Sequence, residues 1–516
     1  MPDLVASQRG MSGETGSAEG SGPRNQCSQL IRLSVPGACQ NPVIVQCGIN
    51  PPTSIERATV TQLKCKYARS GSRLWQAGAG TRMSDVQNSM AGRPSFAEAL
   101  GVWARIGLIS FGGPAGQIAL MHRMLVDERK WIDERSYLQA LNFCMLLPGP
   151  EAMQLATYVG WRMHGTIGGL AAGLLFVLPG ALIILALAAL YAMFGTLPLA
   201  TALLTGIKAA VLAIVVEALI RIARRGLTAT DHRWLAALAF TAIFFFAVPF
   251  PLIVLAAALY GFATGAGLTD QTARAAPTVS LADTLRTTII WLVVWIVPLA
   301  VLAMILGGAH VTSQLGLLFS KLAVVSFGGA YAVLAYLAQD MVQHFGWMTA
   351  GEMVDALGFA ETTPGPLILV TEFVGFLAAY RHGDGSPLFM GTLGAFVALW
   401  ATFAPCFLWI FVGAPYIERI NAEPRLRAAL AAVTAAVVGV ILNLTVWFAL
   451  NVLFRESTTT WLGPLRLYLP EPESLDWVAL ILTGVAFVLL FWMHRGIMTS
   501  LAICGALGVG WHLLAG

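Results

Sequence analysis

The sequence predicts an all-α polytopic membrane protein: two inverted-topology repeats with broken, re-entrant helices, joined by one extra transmembrane helix. Three observations predict it: long apolar blocks, a motif set that occurs twice in register, and a basic-residue bias that swaps between the two copies. Of the 516 residues, 57% are hydrophobic and only 11% charged, and mean hydropathy is +0.72; soluble chains carry about 25% charged residues. The apolar residues gather at 166–194, 200–220, 234–264, 287–306, 388–413, 428–454 and 477–493. Several of these blocks reach the ~20 residues that a helix needs to cross a bilayer core. They lack the alternation of a barrel strand, so helices must satisfy the backbone in lipid.

The repeat rests on anchors at a fixed spacing. Ser110-Phe111-Gly112-Gly113 recurs as Ser326-Phe327-Gly328-Gly329, Trp131 as Trp347, and Pro148-Gly149-Pro150 as Pro364-Gly365-Pro366, all 216 residues apart. Arg105 and Lys321 keep that offset, each five residues before the serine. Tyr158-Val159-Gly160 meets Phe373-Val374-Gly375 with a drift of one residue. After an insertion near Gly383–Pro387, Pro179 matches Pro405 and Ala209-Ala210-Val211 matches Ala435-Ala436-Val437. Such gap-free recurrence marks a duplicated fold.

Residues 94–265 form the first repeat, 266–311 a linker containing the extra apolar helix 287–306, and 312–516 the second repeat. One added span turns the second copy upside down, as in many transporters. The basic residues agree. Arg123, Arg129, Lys130 and Arg135 crowd the loop 122–135, whereas its counterpart 338–351 has no Lys or Arg. Conversely, 195–200 has none, and its counterpart 414–427 holds Arg419, Arg425 and Arg427. The positive-inside rule requires such a swap under inversion. If every segment spanned, however, 122–135 would fall on the opposite side from Arg221, Arg224 and Arg225. Four hairpins plus about nine full spans remove the conflict. The breaks they need are at hand in Gly112-Gly113-Pro114 and Pro148-Gly149-Pro150, because glycine relaxes the backbone and proline removes a donor.

Residues 1–90 are polar and rich in Gly, Ser and Pro, and read as a disordered or mis-called extension whose natural start is Met83. Four of the seven cysteines lie there (Cys27, Cys39, Cys47, Cys65) without CxxC spacing, and Cys144, Cys406 and Cys504 read as small buried hydrophobes. No metal or other cofactor is expected. The net charge of +4 reports topology before partners, and nothing points to nucleic acid. P-loop, H-E-x-x-H and G-x-S-x-G patterns are missing, so ATP-driven pumping and hydrolytic chemistry find no support.

The breaks are the candidate substrate site. Pro114, Pro150 and Pro366 suit the first position of a new half-helix, whose bare N–H groups and dipole hold an anion. Glycines 112, 113, 149, 328, 329 and 365 let backbone approach the ligand, and Ser110 and Ser326 add hydroxyl donors. Pro148 and Pro364 open the second pair of breaks. Packing kinks would use the same residues. Arg105 and Lys321, charges embedded in apolar sequence, either attract substrate or snorkel to the interface. Glu151, Glu361 and Glu372 flank the Pro-Gly-Pro breaks as coupling candidates, although Glu151 also suits the first turn of a half-helix. Lys208 and Glu217 lie on roughly opposite sides of one helix and call for partners elsewhere; Thr434 and Asn443 replace them in the second copy. His122, His164, His344 and His382 fall at helix ends.

With these residues in place, the chain resembles the chromate ion transporter family, in its long two-domain form. The resemblance rests on Ser110-Phe111-Gly112-Gly113-Pro114, Trp131-Ile132, Leu147-Pro148-Gly149-Pro150 and Phe176-Val177-Leu178-Pro179-Gly180. The second copy keeps Ser326-Phe327-Gly328-Gly329 and Thr363-Pro364-Gly365-Pro366, so the likeness covers about 94–514. It departs in Ala330 for Pro114 and in Ala404-Pro405-Cys406 for Leu178-Pro179-Gly180. The resemblance implies a multi-pass carrier of the bacterial inner membrane that exports chromate without a bound cofactor. Chromate and sulfate are both tetrahedral dianions, and a sulfate carrier on the same scaffold or a non-transporting sensor are the alternatives.

Overall fold

The computed structural model describes residues 94–265, 280–327, 330–417 and 423–515. The extension before Pro94 with its expected start at Met83, the glycines Gly328 and Gly329, and Arg419 lie outside the described residues.

Helix α1 (Phe96–Ile109) starts at Ser95, whose hydroxyl accepts from the Glu98 amide at 3.2 Å. It ends at Ser110, where Gly112 and Gly113 take φ of +88° and +70°, a turn that favours glycine. Helix α2 (Gly113–His122) then leaves in a new direction and is prolonged by a π-helical turn, Arg123–Glu128. The direction is settled by Arg129, which bonds Glu98 at 3.1 Å. A straight helix would hold residues that far apart in sequence about 45 Å from each other. The segment is a hairpin.

Helix α3 (Glu134–Leu146), capped by Asp133, enters again and breaks at 147–150, and α4 (Glu151–Phe194) returns from the break. Phe143 of α3 lies 6.2 Å from Tyr158 of α4, so this is a second hairpin. At His164 and Gly165 (φ +63°) α4 turns back on itself, and Gly160 meets Gly168 with no room for a Cβ on either. His164 Nε2 lies 3.0 Å from the Pro94 carbonyl oxygen, so both hairpins open at one end of the bundle. The rest of α4 crosses to the opposite end through Pro179. Helix α5 (Pro198–Gly226) runs back and brings Arg221, Arg224 and Arg225 to the first, basic end. Helices α6 (Thr230–Phe246), α7 (Phe250–Thr264) and α8 (Leu281–Leu306) follow.

The second copy repeats the plan. Helices α9 (Val311–Val325) and α10 (Ala330–Ala338, with a π turn Gln339–His344) flank one break. Helices α11 (Ala350–Thr362) and α12 (Val370–His382, preceded by a 3-10 turn Leu367–Leu369) flank the other. Arg381 Nη1 bonds Glu352 Oε2 at 3.0 Å and closes the α11–α12 hairpin. Helix α13 (Pro387–Gly413) packs back on α12, with Gly375 against Gly394. Asp355 of α11 accepts at 2.9 Å from the hydroxyl of Tyr191, which stands at the far end of α4. The second pair of hairpins therefore opens at the end opposite the first pair. This contact makes the inversion a fact of geometry.

The extra helix α8 lies antiparallel on α13: Thr284 meets Tyr416 at 2.6 Å, and the Trp400 indole donates to the Val294 carbonyl at 3.2 Å. Helix α14 (Pro424–Leu453), the hairpin β1 (Ser457–Leu462) and β2 (Leu465–Pro470), α15 (Trp477–Phe487) and α16 (Ile497–Ala515) complete the chain. Small residues let helices touch: Gly206 abuts Cys504, Gly261 abuts Ala428 and Gly439 abuts Ala236. Among the described residues, six helices are long and apolar enough to cross a membrane. Outward-facing Ile167, Leu182 and Leu238 are 65–70% exposed, which suits lipid rather than water.

Candidate oxyanion site at the crossed breaks

All four sequence-predicted breaks are real, and they meet in pairs across the two copies. The Gly365 amide donates to the Ser110 carbonyl at 3.0 Å and to Ser110 Oγ at 3.1 Å. Reciprocally, the Gly149 amide donates to the Ser326 carbonyl at 3.1 Å. Ser110 thus holds the Pro-Gly-Pro break of the second copy, and Ser326 that of the first. Gly149 (φ +120°) and Gly365 (φ +96°) need their glycine conformation to present these amides.

This pairing corrects part of the expected donor set. The Gly149 and Gly365 amides are spent on the serines. The serine hydroxyls are spent too, Ser110 Oγ donating to the Gly107 carbonyl and Ser326 Oγ to the Ala323 carbonyl, both at 3.1 Å. The prolines also shift by a position: Pro150 and Pro366 are N-caps in extended conformation, and Pro114 is the second residue of α2. Among the described residues, the donors that remain are the amides of Gly112 and Gly113, half-buried with open space beside both α-carbons, and the first turn of α4, which has no side-chain cap.

Two glutamines that sequence reasoning passed over seal the junctions. Gln117, 1% exposed, donates from Nε2 to the Gly365 carbonyl at 2.5 Å and to the Ser110 carbonyl at 3.3 Å. Gln154, 0% exposed, donates to the Pro148 carbonyl at 2.7 Å. Oε1 of each has no partner among the described residues. The available signal was an amide inside an apolar helix beside a break, which costs energy unless bonded. Gly180 packs on the Pro364 carbonyl, and its counterpart Cys406 lies where a Cβ on Gly149 would come within 2.9 Å of its Sγ. The departure seen in the second copy therefore falls inside the site.

Arg105 and Lys321 do not enter the junctions. They stand exposed on the outer faces of α1 and α9, beside Leu108 and Ile109 and beside Leu317 and Val324, opposite the buried faces of those helices. The acids spread out. Glu361 is 3% exposed and accepts from the Tyr331 hydroxyl at 2.6 Å, within electrostatic reach of Arg221. Glu372 is buried with Oε2 unpartnered among the described residues. Glu151 is the half-buried first residue of α4, within reach of Arg225. Lys208 and Glu217 do have separate partners: Lys208 pairs with buried Asp355 at 3.2 Å, which also binds Tyr191, and Glu217 pairs with Arg221. The four histidines sit at helix ends or turns, as expected.

The sequence profile of the family described as Chromate transporter matches residues 97–262 and 313–511, which is both copies. The chain belongs to the chromate transporter family. Among family members, a probable chromate transport protein from Synechococcus elongatus is 30% identical over 68% of this chain and 83% of its own length. A chromate transport protein from Cupriavidus metallidurans is 30% identical over 65% of this chain and 78% of its own. One from Pseudomonas aeruginosa is 32% identical over 67% and 79%. No solved structure matches the chain. In this chromate transporter family member, the crossed breaks join the two matched regions by backbone hydrogen bonds.

Proposed function

We propose that the protein exports chromate across the bacterial inner membrane and confers chromate resistance, with the crossed breaks as its oxyanion site. The observation that supports this most is the reciprocal pairing of Ser110 with Gly365 and Ser326 with Gly149. It places irregular backbone from both inverted repeats at the middle of the bundle, where such backbone survives only in protein or beside a wet cavity. The amides of Gly112 and Gly113 at the start of α2 hold the oxyanion, aided by the helix dipole. The charges of α5 line the approach: Arg225 lies within electrostatic reach of Glu151, and Arg221, paired with Glu217, within that of Glu361. Arg105 and Lys321 act at longer range, drawing anions toward the breaks. Glu151, Glu361 and Glu372 are the proton-coupling candidates, and Glu372 comes first because its buried Oε2 has no hydrogen-bond partner among the described residues, which gives it reason to hold a proton.

The domain plan accompanies this reading: 94–265 and 312–516 are the transporting repeats, and α8 sets their inversion. The end rich in Arg123, Arg129, Lys130 and Arg135 faces the cytoplasm. Proteoliposome flux tests the function. Chromate should leave on the side opposite the basic end, and Gly113→Val, which forces a branched side chain into φ +70°, should abolish flux while the protein stays folded. Sulfate moving in place of chromate would shift the substrate, and no flux of either anion would refute transport.

A further inference from the structure

The β-hairpin carries a charge that the site above does not use. Arg466 on β2 is 5% exposed, at the end opposite the basic one. Its Nη2 donates to the Ile243 carbonyl at 2.8 Å and the Phe244 carbonyl at 3.2 Å, its Nε to the latter at 3.3 Å, and its Nη1 to Gln343 Oε1 at 2.9 Å. Cζ lies 4.9 Å over the Tyr468 ring. All of these acceptors are neutral, and among the described residues no carboxylate forms an ion pair with this guanidinium. Burial accordingly pushes its pKa down, and only Tyr468 opposes the shift. The carbonyl end of α6 offers about half a negative charge, which leaves the rest uncompensated. A buried charge without a counter-ion is costly, so a site that keeps one is ready for an anion.

Beside Arg466 lies a cavity of about 20 Å³ lined by Gln339, Gln343, Asn443, Trp447 and Tyr468. That volume takes a water or one oxygen of a tetrahedral ion, and Gln343 is exposed enough to swing outward. Gln339 Oε1 is buried without a partner among the described residues. The cavity also has a meaningful address. It lies between α10 and α14, the second-copy equivalents of α2 and α5. Through the repeat, Gln339 matches Arg123, Gln343 matches Asp127, Asn443 matches Glu217 and Trp447 matches Arg221. In the first copy these positions are charged and open at the basic end, Arg123 being 62% and Arg221 39% exposed. Their counterparts are uncharged, and Trp447 is only 7% exposed. The two sets of positions are equivalent through the repeat, charged in the first copy and neutral in the second.

We propose that the Arg466 cavity is a second oxyanion-binding site, a station on the exit path at the end remote from the basic one. This rests on the transport reading above. The test uses full-length protein in proteoliposomes carrying Asn443→Cys, with thiol labelling followed peptide by peptide by mass spectrometry. Molybdate and sulfate serve as probes because they share the tetrahedral dianionic shape without oxidising thiols, with chloride as control. Either tetrahedral anion should slow labelling of the new cysteine, and chloride should not. Arg466→Gln should weaken that protection about tenfold, as losing one charged hydrogen bond of ~1.4 kcal/mol would, whereas Arg466→Lys should retain part of it. Labelling indifferent to both anions, in protein that still moves chromate, overturns the proposal, and this arm decides alone if Arg466→Gln fails to assemble. Protection that survives Arg466→Gln overturns it as well and leaves Arg466 as a cap on α6. Vesicles that move no oxyanion refute the transport reading instead.

Discussion

At the scale of single residues, the junctions depend on backbone conformations that few side chains allow. Gly365→Ala forces an L residue to φ +96° and brings a Cβ to 3.2 Å from Leu369 Cδ1. It should cost about 1–3 kcal/mol, readable as a lower melting temperature in detergent. Gly101→Ala is the control: it lies in α1 with nothing within 4 Å of the added carbon, and should be neutral or stabilising by up to about 1 kcal/mol. Gln117→Leu keeps the volume but removes the only side-chain donor to the Gly365 carbonyl among the described residues. A loss of about 1–3 kcal/mol is expected, with reduced chromate flux, because one of the ties between the copies goes with it. Unchanged stability and flux would make the glutamine a bystander.

Elements are held by their ends, and two of these contacts make separate predictions. His122 closes the loop between the first two hairpins, 2.5 Å from Glu134 and 3.4 Å from Asp127. The Glu134 hydrogen bond raises its pKa above the ordinary 6.5, against partial burial and with help from Asp127. A raised folded value means that the protonated form is favoured by folding. Its stabilisation is full below the unfolded pKa and fades as pH rises through the folded one. His122→Gln should therefore lower the melting temperature more at about pH 6 than at about pH 8.5; an equal drop at both would remove the histidine from the hairpin's pH response. At the opposite end, Lys208 and Asp355 join α5 to α11. Lys208→Met leaves buried Asp355 with Tyr191 as its one remaining partner among the described residues, and should cost up to about 3–5 kcal/mol. The double variant Lys208→Met/Asp355→Asn should recover much of that loss, and additive losses would show that the pair is not coupled.

For the whole molecule, the hairpin contacts fix which loops share an end. The 122–135 loop and the 221–227 segment lie together, and 195–200 lies with 347–352 and 381–386 at the other end. Single cysteines at Lys130 and at Asp384 should thus label from opposite faces of a sealed membrane, with Lys130 on the cytoplasmic face. Labelling of both from one face would break the inverted plan. The bundle's surface follows the reversed rule of a lipid solvent. Leu and Ile cover the outside, while the buried interior holds Gln117, Gln154, Glu361 and Glu372.

The sequence by itself determined the helices, the duplication, the four break points and the need for hairpins. Apolar length, glycine and proline chemistry and the basic-residue swap are local properties, and they act wherever the chain goes. Only the tertiary structure decided which break meets which. The meeting of Ser110 with Gly365 joins residues 255 apart in sequence, and no local rule specifies a partner across an inverted pair. For the same reason the Ser110 and Ser326 hydroxyls and the Gly149 and Gly365 amides, expected to be free, proved to be bonded across the copies or to their own helices. Gln117, Gln154, Asp355 and Arg466 were single polar residues in apolar or short segments, silent in the repeat because the other copy lacks them. Their roles come from what surrounds them, and burial is a property of the assembled bundle.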